Sequence, residues 1–307
     1  MALDFKFDSF ADLPLLDGHI HIWENMEPAV VQRALARTGA RRWNALSLSP
    51  RAGAAGGTLN EQALRFKKWS DGNAFAFGAL DYSRANLTAD DLVAQALELK
   101  TRGFDGIKMW EGKPSVYARL PDHLDGSLYA PYWAWVEANA FPITIHMADA
   151  LRFWDPARVG LDRWSYVGDE YPTREEMYAE TERILNRHPR LKIIFAHFLF
   201  FWDDLLRAAR FLDAHPSVAF DLTPGIAGYL DLSENCDAAR EFFLRYQDRL
   251  IYGTDIGAGP VVDPGAPFEP EKEIGQSWLV RAFLETDRES SLPAGVGAVT
   301  DQFVGKH

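Results

Sequence analysis

The run Leu15-Leu16-Asp17-Gly18-His19-Ile20-His21-Ile22-Trp23 decides how this chain is read. Its apolar residues predict a strand over residues 15–22, and on a strand positions i and i+2 project to the same side. His19 and His21 therefore stand together at the C-terminal end of that strand, where two imidazoles can grip one divalent cation. A lone His-x-His also occurs as a hydrogen-bonded packing pair, so the reading depends on what the other segments carry.

Four later runs repeat the pattern of a short apolar segment ending in a reactive group. They are Gly106-Ile107-Lys108-Met109-Trp110, Pro142-Ile143-Thr144-Ile145-His146, Lys192-Ile193-Ile194-Phe195-Ala196-His197 and Leu250-Ile251-Tyr252-Gly253-Thr254-Asp255. Parallel-sheet enzymes place their chemistry at such strand ends. Strands are expected near 15–22, 43–49, 74–80, 105–110, 142–147, 192–197, 217–222 and 249–254. Helical periodicity lies between them near 28–38, 60–70, 88–102, 129–140, 173–188, 202–214 and 237–247, with another helix near 269–286. Eight βα units in 307 residues predict a closed (β/α)8 barrel, a TIM barrel in one domain over 1–307.

Local signals fix several boundaries. Thr88 with Asp90 and Asp91 opens one helix, and Gly103 closes it. Thr173 with Glu175 and Glu176 opens another. His188 and His215 sit beside prolines at helix ends and are assigned to capping, outside the site.

The charge balance is −12, from 32 basic and 44 acidic residues, with no basic cluster, which argues against nucleic acid or an anionic membrane as partner. A single cysteine, Cys236, leaves no intrachain disulfide and no cysteine-rich zinc knuckle. The N-terminus lacks the apolar core of a secretory signal, and no apolar run is long enough to span a bilayer, so a cytoplasmic protein is expected. A small-molecule substrate is the expected partner, and self-association is left open.

Two long segments on the strand-end face, 111–128 and 148–172, are expected to wall the site. Candidate wall residues are Trp23, Trp110, Glu111, Arg152, Trp154, Asp155 and Tyr171, although a self-packed surface loop fits 148–172 equally well. The small residues 51–57 read as a mobile segment over the barrel mouth.

The residues and their order resemble the amidohydrolase superfamily, and within it amidohydrolase family 2, over roughly residues 12–256. That resemblance implies a (β/α)8 barrel with His19, His21, His146 and Asp255 as metal ligands. His197 then completes a second metal site or bonds to the metal's water. It further implies a metal-dependent hydrolase, with zinc as the expected ion and manganese as the alternative. Lys108 is ambiguous. A plain ammonium beside a dication is repelled, so the lysine is carboxylated and bridges two ions, or binds a substrate anion, or pairs with a loop carboxylate such as Glu111. One ion is favoured, and two would require the carboxylated lysine. The chain departs from the family after about residue 288, where a helical segment packing back on the barrel is expected and an atypical tail stands instead.

In physical terms, imidazoles and a carboxylate around a divalent ion leave room for a water whose pKa falls towards 7. Asp255 would take and return its proton, and His197 would help stabilise an oxyanion. Cleavage of a C–N or C–O bond in an amide, lactone or ester is the leading expectation. A lyase that decarboxylates or hydrates a small aromatic or unsaturated acid is the alternative, and a barrel that binds without turnover is a third. Asp17 is expected to orient an imidazole rather than bind metal.

Overall fold

The computed structural model describes residues 13–24, 26–49, 58–84, 86–160, 164–224, 228–262, 266–286, 289–290 and 303–304. Eight parallel strands follow one another in chain order around a barrel: β1 (Leu15–His21), β2 (Ala40–Leu46), β3 (Ala74–Gly78), β4 (Gly106–Gly112), β5 (Ile143–Met147), β6 (Ile193–Phe195), β7 (Val218–Asp221) and β8 (Leu250–Ile251). The helices are α1 (Pro28–Arg37), α2 (Asn60–Trp69), α3 (Ala89–Thr101), α4 (Pro114–Tyr117), α5 (Ala130–Ala138), α6 (Arg174–Arg187), α7 (Leu205–Ala214), α8 (Gly228–Ser233), α9 (Cys236–Tyr246), α10 (Ala258–Val262) and α11 (Pro270–Glu285). This is the (β/α)8 architecture that the alternating periodicity predicts. A short antiparallel pair, β9 (Glu289–Ser290) and β10 (Phe303–Val304), follows α11. The expected mobile segment at 51–57, and most of the tail beyond 288, lie outside the described residues.

Why the strands form is visible in their burial. Isoleucine, phenylalanine and alanine on β2 to β7 pack under the helices in one core that includes Ala45, Ala76, Ile107, Ile143, Ile193 and Phe220. The helices start where the sequence signals them. Thr88 and Thr173 both make full capping boxes, with Asp91 and Glu176 respectively, and each N-cap contributes about 1 kcal/mol. His188 and His215 are the C-caps of α6 and α7.

Closure between the first and last strands runs beyond β8. Gly18 N donates to Tyr252 O at 2.8 Å, Asp255 N to His19 O at 2.9 Å, and His21 N to Ile256 O at 2.7 Å. This approach is close enough to need glycine: a Cβ on Gly18 would stand 2.5 Å from Ile251 Cγ2. The seam that shuts the barrel therefore also sets Asp255 beside His19 and His21.

Some boundaries differ from the sequence expectation. β4 continues to Gly112, so Glu111 is a strand residue like Trp110 before it, and α4 occupies the start of the segment expected as loop. β6 stops at Phe195 and β8 at Ile251, which leaves His197 and Asp255 on the turns that follow. Segment 148–172 carries two single 3₁₀ turns, Leu151–Trp154 and Pro156–Arg158.

Candidate metal centre

On β1, Asp17, His19 and His21 share the face opposite to Ile20, and both imidazoles are buried. His19 Nε2 lies 3.2 Å from His21 Nε2. Asp255 Oδ1 is 3.4 Å from the first nitrogen and 3.2 Å from the second. Ligand atoms of these three residues all fall within 4.8 Å of one another.

The other ring nitrogens fix what these atoms are. His19 Nδ1 donates to Asp221 Oδ2 at 2.7 Å, and His21 Nδ1 donates to Leu46 O at 3.1 Å. A carbonyl can only accept, and a carboxylate does the same, so both Nδ1 atoms carry the proton and both Nε2 atoms present lone pairs. Two lone pairs and a carboxylate oxygen thus face one another. A cation is the group that such a set fits. Separations of 3.2 to 3.4 Å match the roughly 3.3 Å edges of a tetrahedron with metal–nitrogen bonds of about 2.0–2.1 Å.

His146 and His197 stand beside this triad rather than within it. The His197 ring lies 5.6 Å from the His19 ring and 4.9 Å from the His146 ring. His146 Nε2 and His197 Nδ1 are buried without a hydrogen-bond partner, a costly state for two polar atoms and one that a ligand would relieve. Lys108 Nζ lies 3.4 Å from His19 Nε2 rather than on Glu111, the carboxylate named as its alternative partner.

Burial dominates the electrostatics. It pushes His19 down to about 4, with Lys108 adding to the effect, and it lowers His146 and His197 as well, so the three imidazoles are neutral near pH 7. Burial also brings Lys108 down to about 8. For Asp255, burial raises the pKa and a proton on a facing imidazole would lower it; with both Nε2 atoms bare, a cation held among the three groups would take that part and keep the carboxylate ionised. Asp255 is half-buried and has a left-handed backbone (φ 62°), which turns its carboxylate from the end of the strand towards the imidazoles.

Sequence reasoning missed Asp221. Its Oδ2 holds His19, while its Oδ1 accepts His197 N at 2.8 Å and Thr223 N at 3.2 Å, so one carboxylate ties two site residues together. Asp17, expected to orient an imidazole, does not. It accepts from the backbone N of His19 at 3.1 Å and from Thr254 Oγ1 at 2.6 Å, locking the β1–β8 seam. A second group missed as a unit backs His146: Asp149 Oδ2 accepts from Lys113 Nζ at 2.5 Å and Tyr166 Oη at 2.8 Å, and it lies 3.9 Å from His146 Nε2.

The wall candidates divide. Trp110 and Glu111 are buried, the indole donating to Ser49 Oγ at 2.8 Å and the carboxylate accepting from Ser49 at 3.4 Å. Trp23 stacks on Phe268 at 4.7 Å. Trp154 Nε1 donates to Pro172 O at 3.0 Å, Asp155 caps the turn at Pro156, Tyr171 meets Tyr166 edge-on, and Arg152 is half-buried within electrostatic reach of Asp231. Much of segment 148–172 is thus packed on itself. Among the described residues no helix is long and apolar enough to cross a membrane.

Comparison with known proteins agrees with this picture. The amidohydrolase family model matches residues 16–290. An uncharacterised TIM-barrel protein from Bordetella bronchiseptica superposes with a TM-score of 0.57 at 16% identity, over 87% of this chain and 91% of the other. A 2,6-dihydroxybenzoate decarboxylase from Rhizobium gives 0.55 at 15%, over 88% and 95%. An amidohydrolase from Burkholderia multivorans with bound zinc gives 0.52 at 15%, over 87% and 91%. At such identities the likeness is one of fold. No curated protein matches the chain in sequence.

Proposed function

The chain belongs to the amidohydrolase family, and from that premise and the geometry of the β1–β8 seam we propose that it is a metal-dependent hydrolase cleaving a C–N or C–O bond in a small molecule. The observation that carries the reading is the facing set of two imidazole lone pairs and the Asp255 carboxylate, separated by 3.2 to 3.4 Å. His19, His21 and Asp255 would hold the ion, with His146 as a further ligand, and zinc suits this nitrogen-rich set. When bound, the ion supplies a Lewis acid and an acidified water.

The chain's own residues do the rest. Asp255 stays ionised and partly open to the mouth, so it can take a proton from water and hand it to the leaving group. His197 is neutral, and its Nδ1, buried without a hydrogen-bond partner, can carry the N–H that donates to a carbonyl oxygen gaining charge. Lys108, buried beside His19, suits a carboxylate on the substrate, which would offset the repulsion between its ammonium and the ion.

A second reading has an observation of its own. The Phe200 ring lies 5.3 Å from the rings of both His146 and His197, giving the site a flat apolar side in addition to the buried Lys108 ammonium. That combination also suits decarboxylation of a small aromatic acid. The deciding experiment takes metal-assayed protein through a panel of lactones, esters, amides and aromatic carboxylic acids in ¹⁸O-water. The hydrolase incorporates label into its product, whereas the decarboxylase releases carbon dioxide and leaves its organic product unlabelled. In either case Asp255→Asn should lower kcat by roughly 10²–10⁴-fold, and turnover equal to wild type in that variant would remove the mechanism.

A further inference from the structure

The segment after β6 has an uncommon backbone. His197, Phe198, Leu199 and Phe200 all have positive φ, from 53° to 57°, which makes a left-handed turn built without glycine. L-residues avoid this region because Cβ crowds the backbone oxygen, and a run of four is sustained only where the surroundings over-determine it.

The surroundings do so from α6. Arg174 and Tyr178 lie one helical turn apart, both buried, on the face that meets the turn. Tyr178 Oη donates to Leu199 O at 2.9 Å, and Arg174 Nη2 donates to Phe200 O. Arg174 Nε donates to Tyr178 Oη at 2.8 Å, joining the two into one unit. On the other side of the turn, His197 N is held by Asp221 at 2.8 Å, and Phe198 stacks on Trp202 at 4.6 Å. The consequence of the left-handed path is that Phe198 enters the aromatic core while His197 points to His146 and His19.

We infer that Arg174 and Tyr178 are positioning residues, a clamp on the carbonyls of Leu199 and Phe200 that holds the left-handed turn and so sets where the His197 ring stands. Removing the Tyr178 hydroxyl leaves Leu199 O and Arg174 Nε without their partner in a buried place, and the turn gains a reason to relax. The inference rests on the reading above only for what His197 does in turnover.

The test is ¹⁵N-histidine NMR of the full-length protein, with the His197 ring signals identified by their loss in His197→Gln. Tyr178→Phe and Arg174→Lys should shift or broaden the His197 signals and leave in place those of His123, whose ring is bonded to Tyr117. Arg207→Gln serves as the control. Arg207 stacks on the Tyr178 ring at 4.5 Å but is paired with Glu175 and, among the described residues, gives no hydrogen bond to the turn, so its loss should leave His197 unchanged. Unmoved His197 signals in Arg174→Lys would overturn the inference even if Tyr178→Phe failed to fold. Shifts equal in the control would also overturn it, because packing on Tyr178 would then be the cause. A displaced His197 with unchanged turnover on a panel substrate would leave the clamp standing and remove the role given to His197.

Discussion

Asp221→Asn changes one oxygen to an NH₂ group at constant shape, and the structure dictates how the amide must sit. Asp221 Oδ1 faces two backbone donors, His197 N at 2.8 Å and Thr223 N at 3.2 Å, while Oδ2 faces His19 Nδ1 at 2.7 Å. Turning the NH₂ towards the backbone would leave two buried N–H groups unpaired, at about 1–3 kcal/mol each. The amide oxygen therefore stays there, and the NH₂ points at His19. To accept from it, His19 must move its proton from Nδ1 to Nε2, which removes a lone pair from the set facing Asp255. Replacing the group behind a metal-binding histidine typically costs about 10–100-fold in metal affinity, or about 1.4–2.7 kcal/mol. Zinc titration of metal-free protein against a competing chromogenic chelator measures this directly. The ¹⁵N shift of His19 Nε2 should change from that of a bare nitrogen to that of a protonated one. Zinc affinity within threefold of wild type, together with an unprotonated Nε2, would refute the reasoning.

Two further outcomes follow from buried charges. Burial pushes Glu111 from an ordinary 4.5 up to about 7, so the folded chain holds a proton that the unfolded chain releases, and stability attributable to Glu111 is full below about 4.5 and lost as pH rises through about 7. That displacement corresponds to about 3 kcal/mol, so urea unfolding of Glu111→Gln should gain on wild type by an amount of this order between pH 4.5 and 8, and a constant difference across that range would contradict the assignment. Lys108→Met removes an ammonium 3.4 Å from His19 Nε2, so zinc should bind up to about tenfold more tightly while KM for carboxylate-bearing substrates rises. A fall from two zinc equivalents to one in this variant would instead identify Lys108 as a carboxylated bridge.

The barrel was legible in the sequence because its signal is periodic and repeated. Apolar runs of strand length alternate with amphipathic helical stretches, and glycine, proline and hydroxyl caps mark the ends. The reactive groups were legible by the same rule, since His19, Lys108 and His146 stand on barrel strands and His197 and Asp255 on the turns just beyond. Asp221 ends the run Val218-Ala219-Phe220-Asp221 with the same signature, yet its role depends on an imidazole 202 residues away. Asp17 shows the converse. Its spacing from His19 invited a local partnership with the ring, whereas closure of the barrel brings Thr254 to it from 237 residues away and uses the carboxylate there.

The turn after β6 marks where pattern reading stops. Phe198-Leu199-Phe200-Phe201 follows the strand expected over 192–197 and reads only as the loop it runs into, because four apolar residues carry no mark of a left-handed path and no glycine announces one. What bends the chain is a pair of polar groups on α6, Arg174 and Tyr178, whose own positions look like ordinary helix residues. A local sequence can specify which residues are apolar, but not which carbonyls a distant helix will claim. Yet those claimed carbonyls decide whether the fourth imidazole faces the metal centre or the core, so the chemistry at the mouth of this barrel depends on contacts made on its outside.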